Sequence, residues 1–195
     1  AIIGRLGSVA TASVSIANTV FSLFSVGVYG TAGASSVIIG QTVGAGEYER
    51  VKKYARKLQV LFIIIGLISG GLLYIARDYI MLLYNVSEDT AVLAKKLMTV
   101  LSVTMIGTSY QMSSLTGIVR AGGSVYFVLI NDLIFVWLIV IPSAMIAAFV
   151  LHASPVVVFA CLKCDQILKC AVAVVKVNRF KWIKNLTREP ATAVK

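Results

Sequence analysis

Long apolar runs separated by short polar punctuation set the plan of this 195-residue chain. Five helices are predicted, over about 8–42, 55–76, 91–119, 125–150 and 155–176, bounded by glycines, prolines and charges. Each is long enough to cross a hydrocarbon layer about 30 Å thick, and none shows the alternating ten-residue segments of a membrane barrel. The pattern therefore predicts an all-α polytopic membrane helix bundle with five transmembrane helices. Between the second and third spans, Tyr74 to Asp89 (YIARDYIMLLYNVSED) reads as a short interfacial helix with aromatic anchors, and Ser87 as the cap of the next long helix. No soluble domain, linker, low-complexity segment or internal repeat is apparent.

Composition agrees with the pattern. Hydrophobic residues make up 58% of the chain and charged residues 13%, against about 25% charged in a globular protein, and the mean hydropathy is +0.90. The net charge of +10 raises nucleic acid as a partner, but most Lys and Arg flank apolar spans, which is where topology signals sit. Arg50, Lys52, Lys53, Arg56 and Lys57 follow the first span, whereas Arg77 is the only basic residue between Ile75 and Thr90. Arg120 lies in the next turn, where Gly122 and Gly123 supply the reversal, and Lys176, Arg179, Lys181, Lys184, Arg188 and Lys195 mark the tail, 177–195. With alternating crossings, these basic positions fall on one side. The positive-inside rule makes that side cytoplasmic, the C-terminus included. Lys95 and Lys96, on the other side, are expected to snorkel toward headgroups. The first helix must then begin outside, so a preceding span is expected, with Ala1 to Leu6 as its remnant. No basic region followed by a cleavage site opens the chain, so no signal peptide is read and the chain is taken as a fragment.

The few polar residues inside the spans carry the candidate chemistry. Ser8, Thr11, Ser15, Asn18, Ser22, Ser25 and Tyr29 recur at helical spacing and form one polar stripe, which should turn away from lipid, toward a partner helix or toward water. Thr99, Ser102, Ser109, Ser113 and Thr116 form a weaker stripe on the third helix, with Tyr110 and Gln111 beside it. Gly27, Gly30, Gly33 and Ala34 would allow close packing or bending, and Pro142 would kink its span or be tolerated there. Asp132 and Asp165 are the only acidic residues within spans, and each costs on the order of 3 kcal/mol near a bilayer centre, so each should face protein or water. Asp132, about two turns in from the hairpin with Asn131 beside it, could bind a cation, exchange a proton or make an interhelical hydrogen bond. Lys169 follows Asp165 at i+4, where the two can pair, and Lys163 points elsewhere, to snorkel or to line the same cavity. Ion or proton coupling by Asp132, Asp165 and Lys169 stands beside simple neutralisation, while Asn18, Tyr110 and Gln111 are candidates for substrate contact.

Other chemistries find no support. Cys161, Cys164 and Cys170 lack a fourth ligand on their apolar helix and are read as small buried hydrophobes, with no metal site expected. His152, the single histidine, falls in an outer turn, so neither a Ser-His-Asp triad nor a His-based metal site is available. VGAGEYER lacks the Lys-Ser/Thr of a P-loop. An enzyme is not predicted, and nucleic acid is not an expected partner.

GRLG at 4–7, IGQTVGAGEYERVKKYARKL at 39–58, GIVRAGG at 117–123 and FKWIKNLT at 180–187 resemble, in order and spacing, the C-terminal half of a bacterial member of the multidrug and toxic compound extrusion (MATE) family of secondary transporters. The resemblance implies a twelve-helix fold of two six-helix bundles with alternating access. This chain would supply five helices of one lobe and a stub of the sixth, with the N-terminal bundle missing. It also implies export of organic cations, drugs or metabolites from the plasma (inner) membrane in exchange for H⁺ or Na⁺, without other cofactors. A flippase for lipid-linked oligosaccharide, sharing the fold, and a non-transporting truncated fragment are the alternatives. Two departures stand out: Ser124 and Val125 replace the Asp-Thr that commonly follows the family's RAGG turn, and no acidic ligand lies between Val92 and Val119.

Overall fold

The computed structural model describes residues 7–150 and 154–183, without the side chains of 149 and 150. The expected remnant at 1–6, His152 in its turn and the tail beyond Ile183 lie outside the described residues. Where the pattern predicts one helix over 8–42, the chain forms two, α1 (Ser8–Phe24) and α2 (Val26–Gly44), bent by 44°. Ser25 sits at the bend, fully buried, and its hydroxyl donates to the Phe21 carbonyl at 2.7 Å. Such back-bonding often accompanies a bend, although Thr19 and Ser22 make the same bond within α1 without one.

α3 (Tyr48–Leu83) runs unbroken for 36 residues and absorbs most of the stretch expected to form a separate interfacial helix. No glycine or proline interrupts it after Gly71, and its one polar step is stabilised from the side. Asp78 accepts a salt bridge from Lys95 at 3.0 Å, and the Arg77 guanidinium bonds Thr99 and stacks 4.0 Å from the Tyr74 ring centroid. Lys95 therefore pairs with protein instead of standing alone. α4 (Glu88–Met112) follows and continues as a π-helical stretch, Ser113–Arg120. After the turn come α5 (Val125–Ile134), π-helical Phe135–Val140, α6 (Ile141–Met145) and π-helical Ile146–Val150 in one rod. Pro142 lies at the start of α6, just past a π-helical stretch, where the wider turn accommodates a residue with no N–H to donate. α7 (Pro155–Asn178) begins with proline in its first turn.

Among the described residues, Tyr48–Leu83, Glu88–Arg120 and Val125–Ala148 are long and apolar enough to cross a membrane, and the bent pair α1–α2, taken as one broken span, makes a fourth. α7 has the length but carries Lys163, Asp165 and Lys169 in its middle. Its place in a bilayer depends on how those charges are neutralised.

α4 is the central rod. It packs against α1, α3 and α7, and its π-helical continuation packs against α2 and α7. Half of its apolar stretch (50%) is buried, against 11% for Val125–Ala148, which leaves α5 and α6 peripheral. Small residues set the spacing, as expected where lipid supplies no hydrophobic drive between helices. A Cβ added to Gly70 would lie 2.6 Å from the Ser102 carbonyl oxygen, one on Gly66 would lie 2.9 Å from Ser109 Cβ, and one on Gly117 would lie 2.9 Å from the Ala32 carbonyl oxygen. The Ser109 hydroxyl donates across to the Phe62 carbonyl at 2.8 Å. Gly27, Gly30 and Gly33, expected to serve close packing, instead face open space.

The hairpin between α4 and α5 is closed by the segment after α7. Gly123 has φ 97, which suits glycine, and Gly122 lies under the fully buried Trp182. The Trp182 indole donates to the Val177 carbonyl at 2.9 Å, and the Ser124 hydroxyl donates to the Trp182 carbonyl at 3.2 Å. Ser124 thus supplies a turn hydrogen bond despite departing from the family's pattern. A Cβ on Gly122 would sit 2.1 Å from the Trp182 ring. Gly122→Ala is expected to lower stability by about 1–3 kcal/mol through overpacking and to shift the emission of Trp182. Thermal unfolding and fluorescence in a Trp137→Phe background measure both; an unchanged spectrum and midpoint would contradict this packing.

Candidate functional site

The i,i+4 spacing of Asp165 and Lys169 puts both on one face of α7, and the structure pairs them at 3.2 Å. The same ammonium reaches across to α5, where it meets Asp132 at 2.9 Å, and it lies 5.7 Å from the Phe135 ring centroid. The sequence offers Asp132 and Asp165 as separate candidates; the fold makes them one site. Lys169 and Asp165 are buried, whereas the Asp132 side chain is 52% exposed. With all three ionised, the site carries one excess negative charge, since two carboxylates surround one ammonium. Asp132 also lines an open groove of about 380 Å³ with Arg120, Val128, Leu129 and Val136.

A polar chain extends from the ion pairs toward the central rod. The Gln166 amide nitrogen lies 3.4 Å from each oxygen of Asp165, a long contact, and the Gln111 amide donates to the Gln166 carbonyl at 3.0 Å. Gln111, half-buried, therefore joins α4 to the site on α7. Tyr110 belongs to a neighbouring network: it is buried, and its hydroxyl donates to the Gln59 side-chain carbonyl at 2.6 Å, with Asn178 3.4 Å from the Gln59 amide. Asn18 joins neither network and stays half-buried on α1. Among the described residues, the hydroxyls of Ser113 and Ser114 and the Asn131 amide nitrogen are buried without a hydrogen-bond partner.

The two polar stripes part company. Ser102, Ser109 and Ser113 on the central rod are buried within the bundle. On the bent pair, Ser8, Thr11, Ser15, Ser22 and Tyr29 are exposed, because Ala10, Val14, Ala17, Val20 and Val28 occupy the face turned to α4; only Ser25 of that row is buried. Thr11 and Ser22 donate to the carbonyls of Gly7 and Asn18, which reduces the polarity they present. Lys163 lies over two aromatic faces, 5.1 Å from the Phe21 centroid and 5.9 Å from that of Phe159. The cysteines act as weak donors, Cys164 to the Cys161 carbonyl and Cys170 to the Gly107 carbonyl. Among the described residues, no group of three or more His, Cys, Asp or Glu side chains is placed to hold a metal ion.

Sequence reasoning finds three members of the site but not the bond from Asp132 to Lys169, nor Gln166 and Gln59 as links. A usable signal exists. Asp132 lies seven residues from the start of α5 and Lys169 nine from the end of α7, so at about 1.5 Å per residue they sit at similar depth below one end of the bundle.

The MatE family model matches residues 1–146. Over 146 residues, the chain is 28% identical to "Probable multidrug resistance protein YoeA" of Bacillus subtilis (strain 168), in a match covering 74% of this chain and 31% of that relative. The chain thus spans about a third of the length of the relative it matches. No solved structure matches.

Removing the ammonium strands a buried carboxylate, so Lys169→Met is expected to destabilise the fold by about 3 kcal/mol. Adding Asp165→Asn should recover at least half of that loss. Thermal unfolding in detergent measures both variants. A double variant no more stable than the single one would show that the pair is not coupled.

Proposed function

This chain belongs to the MatE family and is a multi-pass membrane protein, and from that premise we propose that it forms the C-terminal lobe of an efflux transporter exporting organic cations, drugs or metabolites in antiport with H⁺ or Na⁺. The observation that carries the reading is the placement of Lys169 between Asp165 on its own helix and Asp132 on the peripheral rod. Ionisable residues at membrane depth mark ion and proton pathways by default. Here they also join two helices.

Asp132 is the member open to exchange, through the groove it lines. A proton or Na⁺ taken up by Asp132 removes its attraction for Lys169, and Lys169 then neutralises Asp165 alone. The bond between α5 and α7 is lost in that step, while the buried pair within α7 is kept. An ion with different affinity for the two arrangements shifts their populations, and a substrate favouring the other arrangement drives the shift back. Gln111 and Gln166 connect the switch to the central rod.

The outward-facing row Ser8, Thr11, Ser15, Asn18, Ser22 and Tyr29 supplies the wall of the substrate path, opposite an N-terminal bundle. Polar groups in hydrocarbon need protein or water against them, and apart from half-buried Asn18 these side chains are exposed in the described bundle. Lys and Arg distribution supports the orientation. Arg50, Lys52, Lys53, Arg56, Arg120, Arg179 and Lys181 lie at the end where α3 begins and α7 finishes, whereas Arg77, Lys95 and Lys96 at the opposite end stand beside Asp78, Glu88 and Asp89. The first end is cytoplasmic in this reading, in the plasma membrane.

Asp132→Asn and Asp165→Asn, each in the complete transporter, are expected to reduce ion-gradient-driven efflux of a fluorescent organic cation by on the order of tenfold or more, with surface expression unchanged. Transport at the original rate in both variants would remove these carboxylates from the coupling step.

A further inference from the structure

A second groove, of about 480 Å³, opens between the start of α5 and the end of α7, apart from the ion-paired site. Its walls are graded. Ala171, Val172 and Val175 form the part deeper along α7, and Lys176, Arg179 and Lys181 form the rim at the helix end, with Phe127 of α5 opposite. The Lys176 ammonium lies 3.9 Å from the Phe127 ring centroid, so the rim is anchored to both helices. Among the described residues, no carboxylate forms a salt bridge with Arg179 or Lys181.

We propose that this groove is a binding site for an anionic phospholipid, its phosphate held by Lys176, Arg179 and Lys181 and one acyl chain lying along Val172 and Val175. Charge complementarity carries the choice of occupant. Three cations at a helix end, at the level where a span leaves the hydrocarbon, match a headgroup phosphate. The apolar surface begins within one turn below them, as an acyl chain requires of a site made for lipid instead of a free anion. A soluble phosphate would use the rim alone and gain nothing from Val172 and Val175. Backbone carbonyls freed at the end of α7 favour cations at that position, which keeps the rim charged and in place. The groove runs along the same two helices, α5 and α7, whose deeper part holds the Asp132–Lys169 bond. The lipid therefore spans the same two helices as that bond, without depending on the transport reading.

Native mass spectrometry of the detergent-extracted transporter, titrated with phosphatidylglycerol or with phosphatidylcholine of identical chains, tests the site. Phosphatidylglycerol adducts should form at about tenfold lower lipid concentration than phosphatidylcholine adducts, given three basic residues near one phosphate. Two variants should each abolish that advantage: Lys176→Gln/Arg179→Gln/Lys181→Gln, which removes the rim, and Val172→Trp, which fills the groove and leaves every charge in place. Equal retention of the two lipids by the unmodified protein overturns the proposal, as does an advantage that survives either variant.

Discussion

Hydrocarbon offers no hydrogen bonds and no counter-ions, so a polar group carried into it must find its partner within the protein. Lys169 is the clearest case: buried, and held by two carboxylates on two helices. Much of the bundle follows the same constraint, with the Ser113 and Ser114 hydroxyls and the Asn131 amide nitrogen as exceptions among the described residues. Lys163 rests on aromatic faces, serine and threonine hydroxyls return to backbone carbonyls one turn back, and Gln59, Tyr110 and Asn178 satisfy one another across three helices. Because the counter-charges of α7 are supplied from inside the bundle, a helix that would be too charged to cross a bilayer alone can lie among those that do cross it.

Close packing is the second consequence. Without a hydrophobic drive to press helices together, contact area has to come from backbones approaching each other, and glycines at Gly66, Gly70 and Gly117 allow it. Neighbouring serines then bond across instead of filling space, as Ser109 does to Phe62. Such contacts pack the central helices closely. The peripheral rod, with two π-helical stretches on either side of α6 and little buried surface, is held by fewer contacts, one of them ionic.

Much of the fold is legible in the sequence, because apolar length and basic punctuation report directly on lipid and headgroups. The Asp165–Lys169 pair is legible for a related reason: i,i+4 neighbours meet whatever else the chain does. Asp132 with Lys169 is not, since nothing local says which face of α5 turns toward α7. The break at Ser25 is missed because one serine among many carries no mark of the bend. Tyr74 to Leu83 reads as a separate surface helix because Arg77 and Asp78 look out of place in a long span; Thr99 and Lys95, from the next helix, are what keep them on it. Glycine facing is likewise hidden, so the exposed trio in α2 and the packed ones in α3 look alike until partners are placed.

Trp182 fills the space above Gly122 and ties the end of the described chain to a hairpin formed some sixty positions earlier. During synthesis, that hairpin emerges long before its lid. The ribosome must deliver the whole of α7 before the indole can seat, so the hairpin is covered only afterward, and premature termination within α7 would leave Gly122 without the ring that packs on it.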